Sequence, residues 1–385
     1  MKRIRLDLNS TVYVILFILL CRNIIIIYPL YRIDIIDQLY TYLSAIVSLI
    51  FSAYILLIKK DVIDTKILIL IFADAAFSVL STLINGGDLK TYFISFYPTI
   101  ALICFWTKLT DDGFQFKKFL NSVSKFFVLI TGLNLALMGI EGRFFSGFWY
   151  FLGLENQMSF TLLLGVYFNY LNKIYNKKNI LFYCYAVIYI LTSFAVHSGS
   201  GVFSVLLFIV VEIIPFFKKV IQKINMSTII VIIIGVLIFL GVYSLYMVDI
   251  KIIRWFTEEI LGKDVTFTGR TYIWEMLLNQ VAQKPFLGYG YHANSNFFIL
   301  NGHPLSAHNT FFAKLYCGGS ISILFTFLIL FSSVKYIQKA EQDIAMVHKL
   351  LFLLIVIPMM AEAFSNNILY IIIFGGIAIS RKEKI

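Results

Sequence analysis

Stretches of about twenty apolar residues recur along most of this chain, and that recurrence limits what it can fold into. Runs such as 67–84 and 228–247 are long enough, as helices, to cross the hydrocarbon core of a bilayer. In lipid each backbone N–H and C=O must be satisfied within its own segment, so a series of such runs folds as a helical bundle. Composition agrees: 60% of the 385 residues are hydrophobic and 14% charged, against roughly 45–50% and about 25% in soluble domains. The mean hydropathy is +0.86. The expected class is an all-α integral membrane protein.

Charge orders the spans. Lysine clusters at 59–60, 117–118, 177–178 and 218–219 mark cytoplasmic loops. The expected spans are 11–30, 39–58, 67–84, 91–107, 119–140, 157–171, 180–196, 202–217, 228–247 and 308–331. The stretch 350–380, interrupted by Glu362 and Ser365–Asn366–Asn367, is read as two short helices. That gives about twelve spans, keeps the closing RKEK with the other basic clusters, and leaves both termini cytoplasmic. The segment KYIQKAEQDIAMVHK (335–349) is expected as an inner loop. The basic start MKRIRLD precedes an apolar run with no small-x-small cleavage site, so that run is expected to stay as a first helix. Three regions result: helices one to nine (1–247), a large outer loop (248–307) and the last three helices (308–385).

The net charge of +11 is the ordinary positive-inside bias and gives no reason to invoke nucleic acid. Cys21, Cys104, Cys184 and Cys317 fall in or beside apolar runs without a CxxC pair. Neither a disulfide framework nor a zinc site is indicated, and no metal or cofactor is expected. Asp74 and Glu362 are ionisable groups inside apolar runs, which is costly unless they are paired or face water. A structural pair with Lys or Arg is the first reading for both, and contact with a substrate the second.

The polar, aromatic segment 265–319 stands apart from the rest. Inner loops carry almost only Lys, whereas Arg32, Arg143, Arg254 and Arg270 fall in outer segments. Arginine's planar fork suits phosphate, where lysine is a point charge.

Three motifs occur there in order: TGRTYIW (268–274), PFLGYGY (285–291) and SAHNTFF (306–312), the last followed by Gly318-Gly319. GLENQMS (153–159) and HSGSG (197–201) precede them. Together they resemble the C-terminal region of the O-antigen ligase and polymerase superfamily. The resemblance covers 153–319 by motif and the remainder by hydropathy only. One position departs: many members carry an Arg in the Ser/Gly-rich turn, where this chain has Gly201. Arg254, Arg143 and, less well, His197 are the candidates to replace it.

The resemblance implies a GT-C-like polytopic glycosyltransferase of a bacterial inner membrane, with one large periplasmic loop. It implies inverting transfer from an undecaprenyl-diphosphate-linked oligosaccharide to a hydroxyl acceptor. Such a leaving group asks for cations at the phosphates and a base at the hydroxyl, with no nucleotide. His308 is the candidate base, against a structural or capping histidine. Arg270 is the candidate diphosphate clamp. Asn309 either orients His308 or caps the following helix, and Asn156 belongs to the candidate substrate site. His303 reads first as a loop residue. Trp274, Tyr289 and Tyr291, with Trp149, Tyr150 and Trp255, can stack on sugars, although an interfacial aromatic belt is the plainer reading for most. Gly288 and Gly290 are expected to permit a turn that folds the loop onto the bundle.

A polymerase that joins repeat units is favoured over a ligase that moves the chain to lipid A core. A flippase-type transporter is a third reading, disfavoured because no internal repeat is visible and the polar motifs gather in one outer loop. The implied partners are the lipid-linked donor and acceptor, membrane lipids, a chain-length regulator and a flippase.

Overall fold

The computed structural model describes residues 9–58, 64–141, 149–196, 198–247, 269–292, 297–300, 303–363 and 367–382. The chain runs through α1 (Ser10–Leu20), α2 (Tyr28–Tyr31), α3 (Asp34–Ile58), α4 (Thr65–Ile84), α5 (Leu89–Asp111) and α6 (Gly113–Glu141). A two-residue hairpin of β1 (Trp149–Tyr150) and β2 (Gly153–Leu154) leads into α7 (Glu155–Asn176). Then follow α8 (Asn179–Val196), α9 (Gly199–Ile213), α10 (Pro215–Lys223) and α11 (Met226–Val242), the last extended by a π-helical turn, Tyr243–Met247. The stretch between α11 and the last three helices supplies α12 (Arg270–Gln283) and an antiparallel hairpin of β3 (Phe297–Leu300) and β4 (His303–Ser306). Helices α13 (Thr310–Ile337), α14 (Gln342–Ala361) and α15 (Asn367–Lys382) close the fold.

Short polar side chains start many of these helices. Asn9, Asp64, Asp88, Asn225 and Asn309 each accept a hydrogen bond from a backbone N–H of the first turn, which satisfies donors that the helix itself cannot.

The chain is a mostly helical, multi-pass membrane protein. Among the described residues eight helices are long and apolar enough to cross a membrane, or nine if the bent pair α9–α10 is one span. A helix occurs at each of the twelve expected positions, but α1, α7 and α15 fall outside that length and composition test. Large apolar side chains such as Leu129, Ile140 and Ile180 are exposed, as on a surface that meets lipid rather than water.

Two expectations need correction. The first apolar run does not continue as a helix to residue 30. It stops at Leu20, and Arg22 two residues later is held by the Asn23 amide oxygen and the Asp37 carboxylate. The segment 335–349 is not a loop: α13 continues to Ile337 and α14 starts at Gln342. Its polar side chains find partners inside the bundle. Lys349 Nζ donates to the Gln222 carbonyl at 2.9 Å, and His348 Nε2 lies 3.0 Å from the Tyr167 hydroxyl.

The expected pair of helices within 350–380 is present as α14 and α15, and these two sit at the centre of the bundle. Next to them, Phe17, Phe105, Phe119 and Phe168 pack ring against ring. The Phe17–Phe168 centroids are 4.8 Å apart at 78°, an edge-to-face arrangement that favours aromatic pairs beyond burial alone.

Candidate functional site

Helix α14 ends at Ala361, and Glu362 continues in extended backbone (φ −140°, ψ 142°). A carboxylate at a helix C-terminus opposes the helix dipole. This one is also only 8% exposed, so it needs donors to offset lost hydration. Arg270 Nη2 and Asn156 Nδ2 both donate to Oε1, at 2.8 and 2.7 Å. His308 Nδ1 lies 3.2 Å from Oε2. The Thr310 hydroxyl donates to the Glu362 main-chain oxygen at 2.8 Å.

Three of the five sequence motifs therefore meet at one carboxylate, and a fourth joins them through Asn156. Asn156 stands in the first turn of α7, and its Oδ1 accepts from Ser198 Oγ at 2.8 Å. That bond brings in the Ser/Gly-rich turn, since Ser198 is the residue that opens α9. Arg270 is the first residue of α12, after Gly269 at φ +84°. His308 has a φ of +43°, a region side-chain-bearing residues seldom enter and one associated with functional sites. Asn309 settles between its two readings as the cap of α13. Its Oδ1 accepts from the N–H groups of Phe311 and Phe312, and its Nδ2 donates to the Met360 carbonyl at 3.1 Å. The start of α13 is thereby tied to the end of α14, and the two hold His308 and Glu362 in register.

The fifth motif is the strap. Gly288 and Gly290 have φ of +67° and +78°. A Cβ on Gly288 would lie 2.3 Å from the Tyr316 carbonyl oxygen, and one on Gly290 2.8 Å from Thr82 Cα. This close approach lets the N–H groups of Tyr289 and Gly290 donate to the carbonyls of Tyr316 and Cys317, both at 2.8 Å. Helix α13 is kinked at Gly319 (φ +64°), and there Ser320 N donates to the Pro285 oxygen. Ser81 Oγ of α4 donates to the Leu287 carbonyl. The strap is fastened to α4 and α13, as the two glycines imply.

Chemically, the centre pairs an imidazole with a carboxylate. An ionised carboxylate only accepts hydrogen bonds, so the proton between them belongs on Nδ1 of His308. Nε2 then carries the lone pair. The His308 side chain is 34% exposed, which leaves it reachable. Arg270, at 24%, joins its guanidinium to the N-terminal end of α12, and both favour an anion.

Beside this centre lies a cavity of about 920 Å³ in the end of the bundle where α5, α7, α13 and α15 begin. It does not include Glu362 or His308 in its walls. It adjoins them through Thr310 and through Gln157, the neighbour of Asn156. Arg22, Asp37, Asp74 and Lys314 give its walls charge, and Trp149, Tyr92 and Tyr291 give it aromatic surface.

The candidate sugar platforms divide. Trp274 is 3% exposed, donates Nε1–H to the Ala307 carbonyl at 2.9 Å and meets Phe312 edge-on, so its faces are taken by packing. Tyr289 stacks on Tyr316 at 4.9 Å and 8°, with its hydroxyl donating to the Gln280 carbonyl, and is part of the strap. Tyr150 is buried. Tyr291 lines the cavity, its ring 4.9 Å from that of Tyr92. Burial pushes its phenol well above its ordinary pKa, so it stays a neutral hydrogen-bonding group. Trp149 lines the cavity while stacked on Tyr28 at 4.2 Å. Arg143, Arg254, Trp255 and His197 lie outside the described residues, and His303 begins β4.

The family model described as O-antigen ligase matches residues 184–327. This domain supports membership of the O-antigen ligase and polymerase superfamily. The match spans Arg270, the strap and His308, whereas Asn156 and Glu362 lie on either side of it. No curated protein and no solved structure matches the chain. Membership goes with a membrane glycosyltransferase type of activity in lipopolysaccharide biosynthesis.

In the sequence Glu362 is a charge that calls for a structural partner or, second, a substrate contact. Its interruption of an apolar run is the signal that marks it. The charge of Arg22 at the end of the first run is a similar signal, not read as such from the sequence.

Proposed function

We propose that this membrane protein polymerises undecaprenyl-diphosphate-linked oligosaccharide repeat units on the periplasmic face of a bacterial inner membrane. The observation that carries the reading is the carboxylate shared by His308 and Arg270. With Nδ1 held by Glu362, His308 Nε2 takes the proton of an acceptor sugar hydroxyl. The freed oxygen attacks the anomeric carbon of the donor, and the bond from that carbon to the diphosphate oxygen breaks with inversion. The electron pair leaves on the diphosphate, beside Arg270 and the start of α12. The proton stays on the imidazole, where the Glu362 carboxylate stabilises the imidazolium. The leaving group is good once its charge is met, so neither a nucleotide nor a metal is required.

The cavity supports a neutral sugar acceptor over a phosphorylated lipid core. Its charged walls come as opposed pairs: Arg22 with Asp37 at 2.5 Å and Lys314 with Asp74 at 2.7 Å. The two pairs leave these walls close to neutral overall, which suits a neutral sugar.

The test uses purified protein in detergent with a synthetic polyprenyl-diphosphate repeat unit and a chelator. A ladder of multiples that disappears in His308→Ala and Arg270→Ala is the expected product. Transfer only after lipid A core is added would replace the polymerase with the ligase. No product from folded protein with several repeat units would return the transporter reading.

A further inference from the structure

Asp74 and Lys314 form an ion pair that the transfer chemistry does not use. Asp74 lies midway along α4 and Lys314 one turn into α13. Lys314 Nζ is 2.7 Å from Asp74 Oδ2, and Ser322 Oγ donates to Oδ1 at 2.5 Å. Their side chains are 6% and 15% exposed, and both line the cavity beside the Glu362 centre. Ionisable groups within membrane helices are costly to retain. A buried pair of this kind is seldom more stabilising than apolar side chains of the same size. Packing alone therefore gives no reason to keep it.

The surroundings say what the pair can bind. An ammonium carries three donors and a carboxylate about four acceptor positions; Lys314 also bonds the Tyr370 hydroxyl and Asp74 the Ser322 hydroxyl, and each still retains capacity. Together they present donors and acceptors side by side, which matches the two-way hydrogen bonding of a sugar hydroxyl. Tyr291 stands on the same wall, with Ser78 near it, and its half-buried ring, backed by the buried Tyr92 at 59°, faces the C–H side of a pyranose. The pair is neutral overall, which suits a sugar hydroxyl more than a diphosphate. Thr310, bonded to the Glu362 main chain, belongs to the same wall, so a sugar held there abuts the transfer centre.

We propose that the Asp74–Lys314 pair reads the hydroxyls of the acceptor sugar in this cavity. This rests on the transferase reading above for the word acceptor, but binding is testable without transfer. The variant is the apolar double replacement Asp74→Leu with Lys314→Met, compared with Asp74→Asn with Lys314→Gln, which keeps hydrogen bonding without charge. The probes are the lipid-free oligosaccharide repeat released by mild acid from the surface polysaccharide of cells that make this protein, and inorganic diphosphate. Binding is read by calorimetry in detergent on variants whose melting matches the parent.

The expected result is oligosaccharide binding weaker by about tenfold or more in the apolar double variant, a smaller loss in the Asn/Gln pair, and diphosphate binding unchanged in both. Equal oligosaccharide binding by parent and variants would overturn the proposal. So would a parent that does not bind the oligosaccharide, or variants that lose diphosphate instead. Should binding behave as expected while the parent makes no polymer or ligated product, the transferase reading fails and the sugar site stands.

Discussion

Glu362 Oε2 lies 3.2 Å from Nδ1 of His308, although the two residues are 54 positions apart in sequence. The pairing fixes which imidazole nitrogen faces the substrate. Replacing Glu362 by Gln keeps the size but presents an amide that can donate to Nδ1 and favour the other tautomer. Transfer is expected to fall by between about a hundredfold and ten-thousandfold, the range seen when a base or its orienting carboxylate is lost. Donor binding should persist. A Glu362→Gln protein with parental turnover would remove the imidazole–carboxylate pair from the mechanism.

Arg270 donates Nη2 to the other oxygen of that carboxylate, at 2.8 Å. Arg270→Lys preserves the charge but not the planar fork that grips phosphate with two parallel bonds. The expected outcome is a donor KM raised by about tenfold or more, with melting close to the parent because a cation still faces Glu362. Steady-state kinetics over a donor series decides this. An unchanged KM alongside a lower melting temperature would make Arg270 a structural partner of Glu362 only.

Gly288 separates close approach from backbone preference. Gly86 and Gly288 both have positive φ, +65° and +67°, but a Cβ on Gly86 meets nothing within 4 Å while one on Gly288 meets the Tyr316 oxygen at 2.3 Å. Gly86→Ala should cost about 1–2 kcal/mol, the ordinary left-handed penalty. Gly288→Ala should cost more, because the Tyr289 and Gly290 bonds to α13 must also shift. Thermal melting in detergent ranks the two, and equal losses would mean that the strap yields freely.

How much of this was visible beforehand depends on the kind of signal. Apolar runs and lysine clusters marked a helix at each expected position, because a bilayer forces both patterns. Glycines at 288 and 290 announced a tight turn, since only backbone geometry asks for two glycines in such a place. Trp274 and Tyr289, which the sequence leaves between a sugar platform and an interfacial belt, pack their rings on Phe312 and Tyr316. An aromatic in an outer segment carries no sequence mark that separates a packed ring from an open one. Glu362 and Asp74 were legible as charges needing partners. Which partners, and that Asn156, Arg270 and His308 would share one carboxylate, depends on helix packing across 206, 92 and 54 positions, which no local pattern encodes.

Trp274 yields a prediction that distinguishes packing from recognition. Trp274→Phe removes the Nε1–H bond and leaves the buried Ala307 carbonyl without that donor, next to His308. Stability should drop by about 1–3 kcal/mol, with the acceptor KM held within about twofold of the parent. A raised acceptor KM at unchanged melting would restore Trp274 as a sugar contact.

The family resemblance leads one to expect a diphosphate-binding arginine at the position of Gly201, and installing that arginine is the informative experiment. A Cβ on Gly201 would lie 2.6 Å from Ser159 Oγ and 3.4 Å from Ser198 Cβ. For Gly201→Ala the Ser159 hydroxyl can rotate away, so a small effect is expected. An arginine side chain has to pass between α7 and α9, where Ser159 and Ser198 are both buried. Displacing Ser198 breaks its bond to Asn156, and Asn156 is one of the donors that hold Glu362. The added cation is therefore expected to reduce transfer, through a misplaced Glu362 and His308, instead of tightening the donor. Donor KM and melting temperature are measured together on Gly201→Ala and Gly201→Arg. A donor KM lowered several-fold in Gly201→Arg, with melting retained, would mean that the turn has room for the arginine and that this chain meets its second phosphate elsewhere by choice of sequence, not for want of space.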